Sequence, residues 1–362
     1  MSNVIEYKDK LIIHPGYYIK EVVDASGLTQ EDFAKRLDTT PKNLSILLRG
    51  DQNLSLDIAG KLARMLGTSV EYWLNLQKAY EAGLAEKQAD EELVLERVIY
   101  KHLDYKYFRQ YFEAPDLPRQ TDAQIKVVRE TLGISSLNVL KNPDMAVSFR
   151  SPAGTMQEAN IVRANAMIQL AIKEAREMAA PKYNKRRFEE AIDFALTLTE
   201  KHNVFFRLLQ TAFYNAGVAL LVFPNLPGSG IFGATKKVGD SMMLMVNDRR
   251  AFSDTFWFTL LHEAGHIVNN DLGISFEGDL GKTEDAADQY AADKLIPPGE
   301  YEHFLAYAQR FDELEICSFA KRINRDPGIV LGRLQNDGYV SHSNKVLNDK
   351  LKRKYHVVIR EV

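Results

Sequence analysis

The sequence predicts a mainly α-helical chain with a small antiparallel β-sheet, an α+β architecture of more than one domain. Three observations lead there. Apolar residues recur at helical spacing, between recognisable caps and stops, over residues 28 to 50 and again over 156 to 201. Three short β-rich runs, GVALLVFP, GIFGATKKV and SMMLMVND, follow one another after Ala216 with Pro, Gly and Ser between them. The chain of 362 residues, 45% hydrophobic and 10% aromatic, is long enough for two or three buried cores.

Bulk composition narrows the function classes. A formal charge of -3 gives no global attraction to nucleic acid, so a DNA contact must come from a local patch. Cys317 is the single cysteine, which excludes an internal disulfide and a cysteine-rich zinc site, and points to a reducing cytoplasm. The start, MSNVIEYKDK, is charged and has no apolar core, and no run of about 18 apolar residues occurs, so neither a signal peptide nor a membrane span is expected.

Residues 28 to 50, LTQEDFAKRLDTTPKNLSILLRG, read as two helices joined by a tight turn. Thr29 is an N-cap with Asp32 three places on, and Phe33, Ala34 and Leu37 share one face up to a stop near Asp38. Thr40 caps the second helix, Pro41 occupies its first turn, Leu44, Leu47 and Leu48 form the buried stripe, and Gly50 closes it. The opposite face carries Lys42, Asn43, Ser45, Ile46 and Arg49, residues able to touch phosphates and base edges in a major groove. A helix-turn-helix needs this pattern, and a small helical bundle with a polar outer face shares it. Residues 1 to 78 hold ten Lys or Arg against ten Asp or Glu, so dimerisation on a repeated half-site is expected to supply what a neutral monomer lacks.

HPGYYIKEVVDASGLTQEDFAKRL, followed by NLSLDIAGKLARMLGTSVEYWLNLQKAYE, resembles the HigA-type antitoxin branch of the Cro/repressor-like (XRE) helix-turn-helix family across residues 14 to 81. The resemblance implies a five-helix DNA-binding domain over residues 1 to 80. Gln30 would meet the DNA backbone, Thr40 at the start of the recognition helix would also be DNA-binding, and Lys42, Asn43, Ser45 and Arg49 would lie in the groove. It also implies operator DNA and a cognate toxin as partners, and a homodimer.

EAGLAEKQADEELVLERV, residues 81 to 98, is acidic and free of Pro, so it reads as a connecting helix rather than a loose tether; a helical connector is assigned to 81 to 155. Prolines 115 and 118 and Gly133 divide the next stretch into short helices. Long helices are expected from Met156 to Ala180 and from Lys185 to Lys201, as a scaffold in which Met156, Met167 and Met178 fill the core. The three β-rich runs would form the sheet, with IFGATKKV either its edge or an inner strand.

FTLLHEAGHIVNND, residues 258 to 271, contains His262, Glu263 and His266 as H-E-x-x-H. On a helix the four-residue spacing stacks both imidazoles one turn apart, and Glu263 beside them is placed as a general base towards an activated water, which suits zinc. TEDAADQYAADKLIPP, residues 283 to 298, supplies a third ligand from a facing helix. Glu284 is assigned to the metal, and Asp288, one turn on, to the free ring nitrogen of one histidine. Asp285 competes for the ligand role, and a solvated acidic face is the bland alternative. Ala287, Ala291 and Ala292, with Ala264 and Gly265, leave room for the two helices to approach closely.

The order of β-rich run, HEAGHIV and EDAADQYAADKLIPP is similar to the ImmA/IrrE family of metallopeptidase-like proteins, and GIVLGRLQNDG near residue 328 looks like its tail segment. The resemblance implies a gluzincin-like peptidase domain over residues 156 to 345 with a tail from 346 to 362, His262, His266 and Glu284 on zinc, and Glu263 as catalytic base. The chain departs from the family's Glu-Ala-Asn at Ala286-Ala287-Asp288. Tyr290, Tyr301 and His303 are candidate oxyanion donors, none assigned; His14, His102, His202, His342 and His356 show no ligand spacing and read as structural or exposed. Residues 314 to 338 have the outline of a second helix-turn-helix that could bind DNA or pack on the core, the family resemblance favouring packing, with Cys317 buried. NDKLKRKYHVV reads as a solvated basic end, with contact to a partner or nucleic acid the alternative.

The expectation is a cytoplasmic DNA-binding regulator or antitoxin with a zinc-dependent endopeptidase-like domain that cleaves or grips a toxin or repressor. A non-proteolytic antitoxin with structural zinc stays open, as does an enzyme whose helix-turn-helix binds protein.

Overall fold

The computed structural model describes residues 3–142, 157–249, 252–276, 282–308 and 310–355. The chain divides into two compact units, Met1–Leu95 and Glu96–Val362.

The first unit opens with an antiparallel hairpin, β1 (Val4–Tyr7) and β2 (Lys10–Ile13), followed by α1 (Pro15–Ala25), α2 (Gln30–Arg36), α3 (Pro41–Leu48), α4 (Leu56–Leu66) and α5 (Val70–Tyr100), within which the division falls. Four helices start on a side chain that accepts an otherwise orphaned amide: His14 from Gly16, Thr29 from Asp32, Thr40 from Asn43 and Ser55 from Ile58. Phe33, Leu37, Leu44, Leu47, Leu62 and Trp73 meet in one core. The hairpin lies on α5, where Gly83 leaves space for Ile12, Tyr7 donates to Asp90, and Lys10 pairs with Glu86. The five helices match expectation; the hairpin in front of them was not foreseen.

The second unit contains α6 (Tyr105–Tyr111), α7 (Thr121–Leu132), a 3-10 turn (Leu137–Lys141), α8 (Glu158–Met178), α9 (Lys185–Leu196) and α10 (Phe205–Asn215). Then follow β3 (Val218–Phe223), β4 (Ile231–Val238), β5 (Ser241–Asn247), α11 (Ser253–Asn269), β6 (Ile274–Phe276), α12 (Lys282–Leu295), α13 (Pro298–Tyr307), α14 (Glu313–Arg322), α15 (Pro327–Asn336) and α16 (Lys345–Leu351). Met167 is fully buried in α8, as expected of a core filler; Met156 lies outside the described residues. Among the described residues no helix is long and apolar enough to cross a membrane.

The sheet order is β3-β5-β4-β6, and it corrects the expected antiparallel sheet. β4 and β5 form an antiparallel hairpin, but β3 pairs with β5 in parallel, Val218 opposite Met242 through Phe223 opposite Asn247. Both run the same way: β3 lies on the far side of β5, and β6 pairs with the side of β4 that β3 would occupy in a meander. β5 is consequently flanked on both edges and buried along six of its seven residues, which is why SMMLMVN reads as a continuous apolar run rather than an alternating one. IFGATKKV is therefore an inner strand, and β3 and the short β6 are the edges.

α11 is the hub of this unit, in contact with α9, α12, α15, β4 and β5. Residues 346–355, the described part of the expected tail, also differ from expectation, since they pack rather than standing as a solvated end. Leu347 and Leu351 are buried, Lys352 pairs with Asp254, Arg353 O accepts from Ser253 N, and Tyr355 stacks on Phe205. Val330, Leu331 and Leu334 of α15 are buried in the main core, as expected for a packing role, whereas Cys317 is half-buried rather than buried.

Candidate metal centre and helix-turn-helix

α11 places His262 and His266 one turn apart on the side that faces α12. Their Nε2 atoms lie 3.0 Å from each other, and Glu284 reaches them with Oε2 at 3.2 Å from His262 and Oε1 at 3.5 Å from His266. One ligand atom from each of the three residues lies within 4.8 Å of the others, and all three residues are buried. Close helix packing makes this convergence possible. Ala287 and Ala291 are fully buried on α12, and a Cβ added to Gly265 would meet the Tyr290 ring at 3.0 Å. Asp285, the competing ligand, points to solvent.

The outer ring nitrogens are held by carboxylates. Asp288 Oδ1 is 2.8 Å from His262 Nδ1, the place assigned to it from sequence. Asp271 Oδ2 is 3.3 Å from His266 Nδ1, a partner that the sequence reading missed. The signal was present in NND: Asn270 adopts a left-handed cap at φ 57, and the Asp271 amide then donates to His266 O, which turns the aspartate back onto the ring. Both rings consequently direct Nε2 at Glu284. Burial disfavours a charge on His262, but hydrogen bonds to Asp288 and Glu284 and the nearby Glu263 outweigh it and raise its pKa to about 10. The pocket favours positive charge at that point. Two imidazoles, a carboxylate and an anionic surround fit a divalent zinc ion, whose binding would replace the proton.

Glu263 is fully buried beside the histidines. Its carboxylate abuts β4 at Gly233, where an added Cβ would lie 2.5 Å from Oε1. Gly233 is the second residue that the sequence reading missed; a glycine inside the strand IFGATKKV is the mark of such a close approach. On β6, Ser275 Oγ lies 3.4 Å from His262 Nε2. Of the candidate oxyanion donors, Tyr301 donates to Asp337 and His303 lies against Tyr307, while Tyr290 packs against Gly265. Among the other histidines, His14 is buried as a helix cap and His202 bonds Tyr355 and Asp326; His356 lies outside the described residues.

In the first unit Gln30 opens α2, Thr40 caps α3, and Lys42 and Arg49 are exposed. Asn43, Ser45 and Ile46 are half-buried on the same helix. Arg49 donates through Nε to Asp51 and through Nη1 to Ser45 Oγ. α3 is fixed against α1 at Gly16, where a Cβ would fall 2.1 Å from Leu47 O. His14 Nδ1 accepts from the Gly16 amide at 2.9 Å, and burial lowers its pKa.

Residues 19–73 match the helix-turn-helix family model HTH_3. Over 76 residues the chain is 37% identical to the uncharacterized HTH-type transcriptional regulator YddM of Escherichia coli K12, covering 21% of this chain and 81% of that protein. It is 33% identical over 76 residues to virulence-associated protein I of Dichelobacter nodosus, covering 21% of this chain and 70% of the relative. A solved structure of an addiction module antidote protein of the HigA family from Coxiella burnetii is 31% identical over 23% of this chain and 90% of that one, with a TM-score of 0.22. Through its first unit, the chain belongs to the HTH_3 helix-turn-helix family.

Proposed function

We propose that the chain is a DNA-binding transcriptional regulator of the antitoxin kind whose second unit is a zinc-dependent peptidase acting on a partner protein, a toxin or a repressor. The DNA half of the reading is supported by the helix-turn-helix membership, by the likeness to a transcriptional regulator, and by Lys42 and Arg49 standing exposed on α3. The peptidase half rests on one observation, the convergence of His262, His266 and Glu284 within 4.8 Å beside the buried Glu263.

His262, His266 and Glu284 would hold the ion, with Asp288 and Asp271 fixing the ring orientation. When bound, zinc supplies Lewis-acid polarisation of a peptide carbonyl and acidification of water. Glu263 takes the proton of the attacking water as its oxygen adds to the scissile carbon, then delivers that proton to the amide nitrogen as the C–N bond breaks. Gly233 allows its carboxylate to sit against the strand without a side chain between them. Burial keeps bulk water away from this exchange.

The deciding variant is Glu263→Ala, which keeps the three ligand residues. Retained zinc by elemental analysis, with loss of partner cleavage, is the expected result. Neutralisation of the partner undiminished in Glu263→Ala would show that proteolysis is not the mechanism. For the DNA half, Lys42→Ala with Arg49→Ala should abolish retardation of the chain's own operator, and unchanged retardation would remove the groove assignment.

A further inference from the structure

The side chain of Asn43 is held from both ends. Its Nδ2 donates to Thr39 Oγ1 at 2.9 Å, and its Oδ1 accepts from Gln52 Nε2 at 2.9 Å. The same Gln52 nitrogen donates to the backbone carbonyl of Asn43 at 3.1 Å. A carbonyl can only accept, so it fixes which end of the Gln52 amide faces α3. The atom of Asn43 beside that nitrogen must then be its oxygen. Thr39 precedes the recognition helix and Gln52 follows it, and all three side chains are half-buried.

An asparagine amide offers two N–H donors and two acceptor sites. Here one donor goes to Thr39 and one acceptor site to Gln52, which leaves one of each. A side-by-side donor and acceptor on a major-groove helix is the complement of adenine, which presents N7 as acceptor and its N6 amino group as donor. We propose that Thr39 and Gln52 are positioning residues for sequence recognition, locking the Asn43 amide in the orientation that reads one adenine. The proposal rests on the DNA-binding reading above and adds to it the base and two residues outside the helix face that set the preference. Pre-orientation also spares the rotamer freedom that a loose asparagine would lose on binding.

The test uses the full-length chain and a pool of randomised duplex DNA, selected for binding and sequenced. Wild type should enrich a motif with one adenine position that vanishes in Asn43→Ala. Gln52→Lys keeps a donor against both oxygens of Asn43 and should keep the adenine. Gln52→Glu can only accept, so it turns the amide over and should lose the preference at that position alone, by roughly fivefold to a hundredfold. Circular dichroism melting of each variant establishes that the domain is folded, and a packing role or the change of charge at residue 52 would alter binding to all sequences alike rather than remove the adenine at one position. The same adenine preference in Gln52→Glu as in wild type, or no position lost in Asn43→Ala, overturns the proposal. If wild type enriches no motif, the DNA-binding reading itself falls, a result distinct from an intact motif that ignores residue 52.

Discussion

Asp288 and His262 meet at 2.8 Å through Oδ1 and Nδ1, while Glu284, one turn earlier on the helix of Asp288, faces the other nitrogen of the same ring. One helix thus supplies both a candidate ligand and the carboxylate that orients the facing histidine. Asp288→Ala should weaken zinc binding by about 10- to 100-fold, and Asp288→Asn, which can still accept from Nδ1–H, by less. Asp271→Ala is expected to act in the same direction through His266. Competition with a metal chelator measures this, and wild-type affinity in both alanine variants would contradict it.

Gly233→Ala should damage the centre from the opposite side. The new methyl would lie 2.5 Å from Oε1 of the fully buried Glu263, so β4 or the glutamate must move. The expected cost is about 1–3 kcal/mol in urea unfolding of the second unit. Zinc content should survive while partner cleavage falls; unaltered stability would show that the strand yields freely.

His14 makes the first unit sensitive to acid. Burial lowers its pKa by desolvating the charged ring, and Nδ1 must be unprotonated to accept from the Gly16 amide. The unfolded chain therefore takes up the proton first. This part of the stability is complete above about pH 6.5 and declines as pH falls below it towards the folded value. Urea unfolding followed through Trp73, in a Trp257→Phe background, should show a lower midpoint at pH 5.5 than at pH 7.5. His14→Asn, which retains a capping oxygen, should flatten this contribution; an equal slope in both proteins would refute the assignment.

Lys352 and Asp254 form an ion pair in which each side chain is only 11% exposed. Lys352→Ala leaves Asp254 enclosed and unneutralised, and should cost about 3 kcal/mol, the low end for breaking a buried pair. Lys352→Met combined with Asp254→Asn should recover much of that loss. A double-mutant cycle with no coupling would mean that the pair is solvated in practice.

Local signals made the first unit legible. Thr29, Thr40 and Ser55 are capping residues that act within three positions of themselves, and the apolar stripe of α3 depends on helical spacing alone. The convergence of these side chains was legible for a similar reason, since His262 with His266 and Glu284 with Asp288 are each pairs four apart on a helix. What escaped depends on distant partners. The β1–β2 hairpin is stable because Gly83, Glu86 and Asp90 of α5 receive it, and four-residue strands carry little periodicity. The parallel pairing of β3 with β5 joins strands with β4 between them in the chain, and the residues of neither strand record that partnership. Asp271 and Gly233 carry local marks, a left-handed turn and a glycine in a strand, whose meaning appears only once the facing histidine and glutamate are known.

The bridge between Phe252 and Lys354 ties the start of the histidine-bearing helix to a lysine about ninety positions beyond His262. On a ribosome moving at about 5–20 residues per second, the lysine emerges roughly 5–18 s after the histidine. The helix-turn-helix has all its parts long before that moment. During synthesis the two halves therefore mature at different times, and a nascent chain can present a finished α3 while the anchor of α11 has yet to be made.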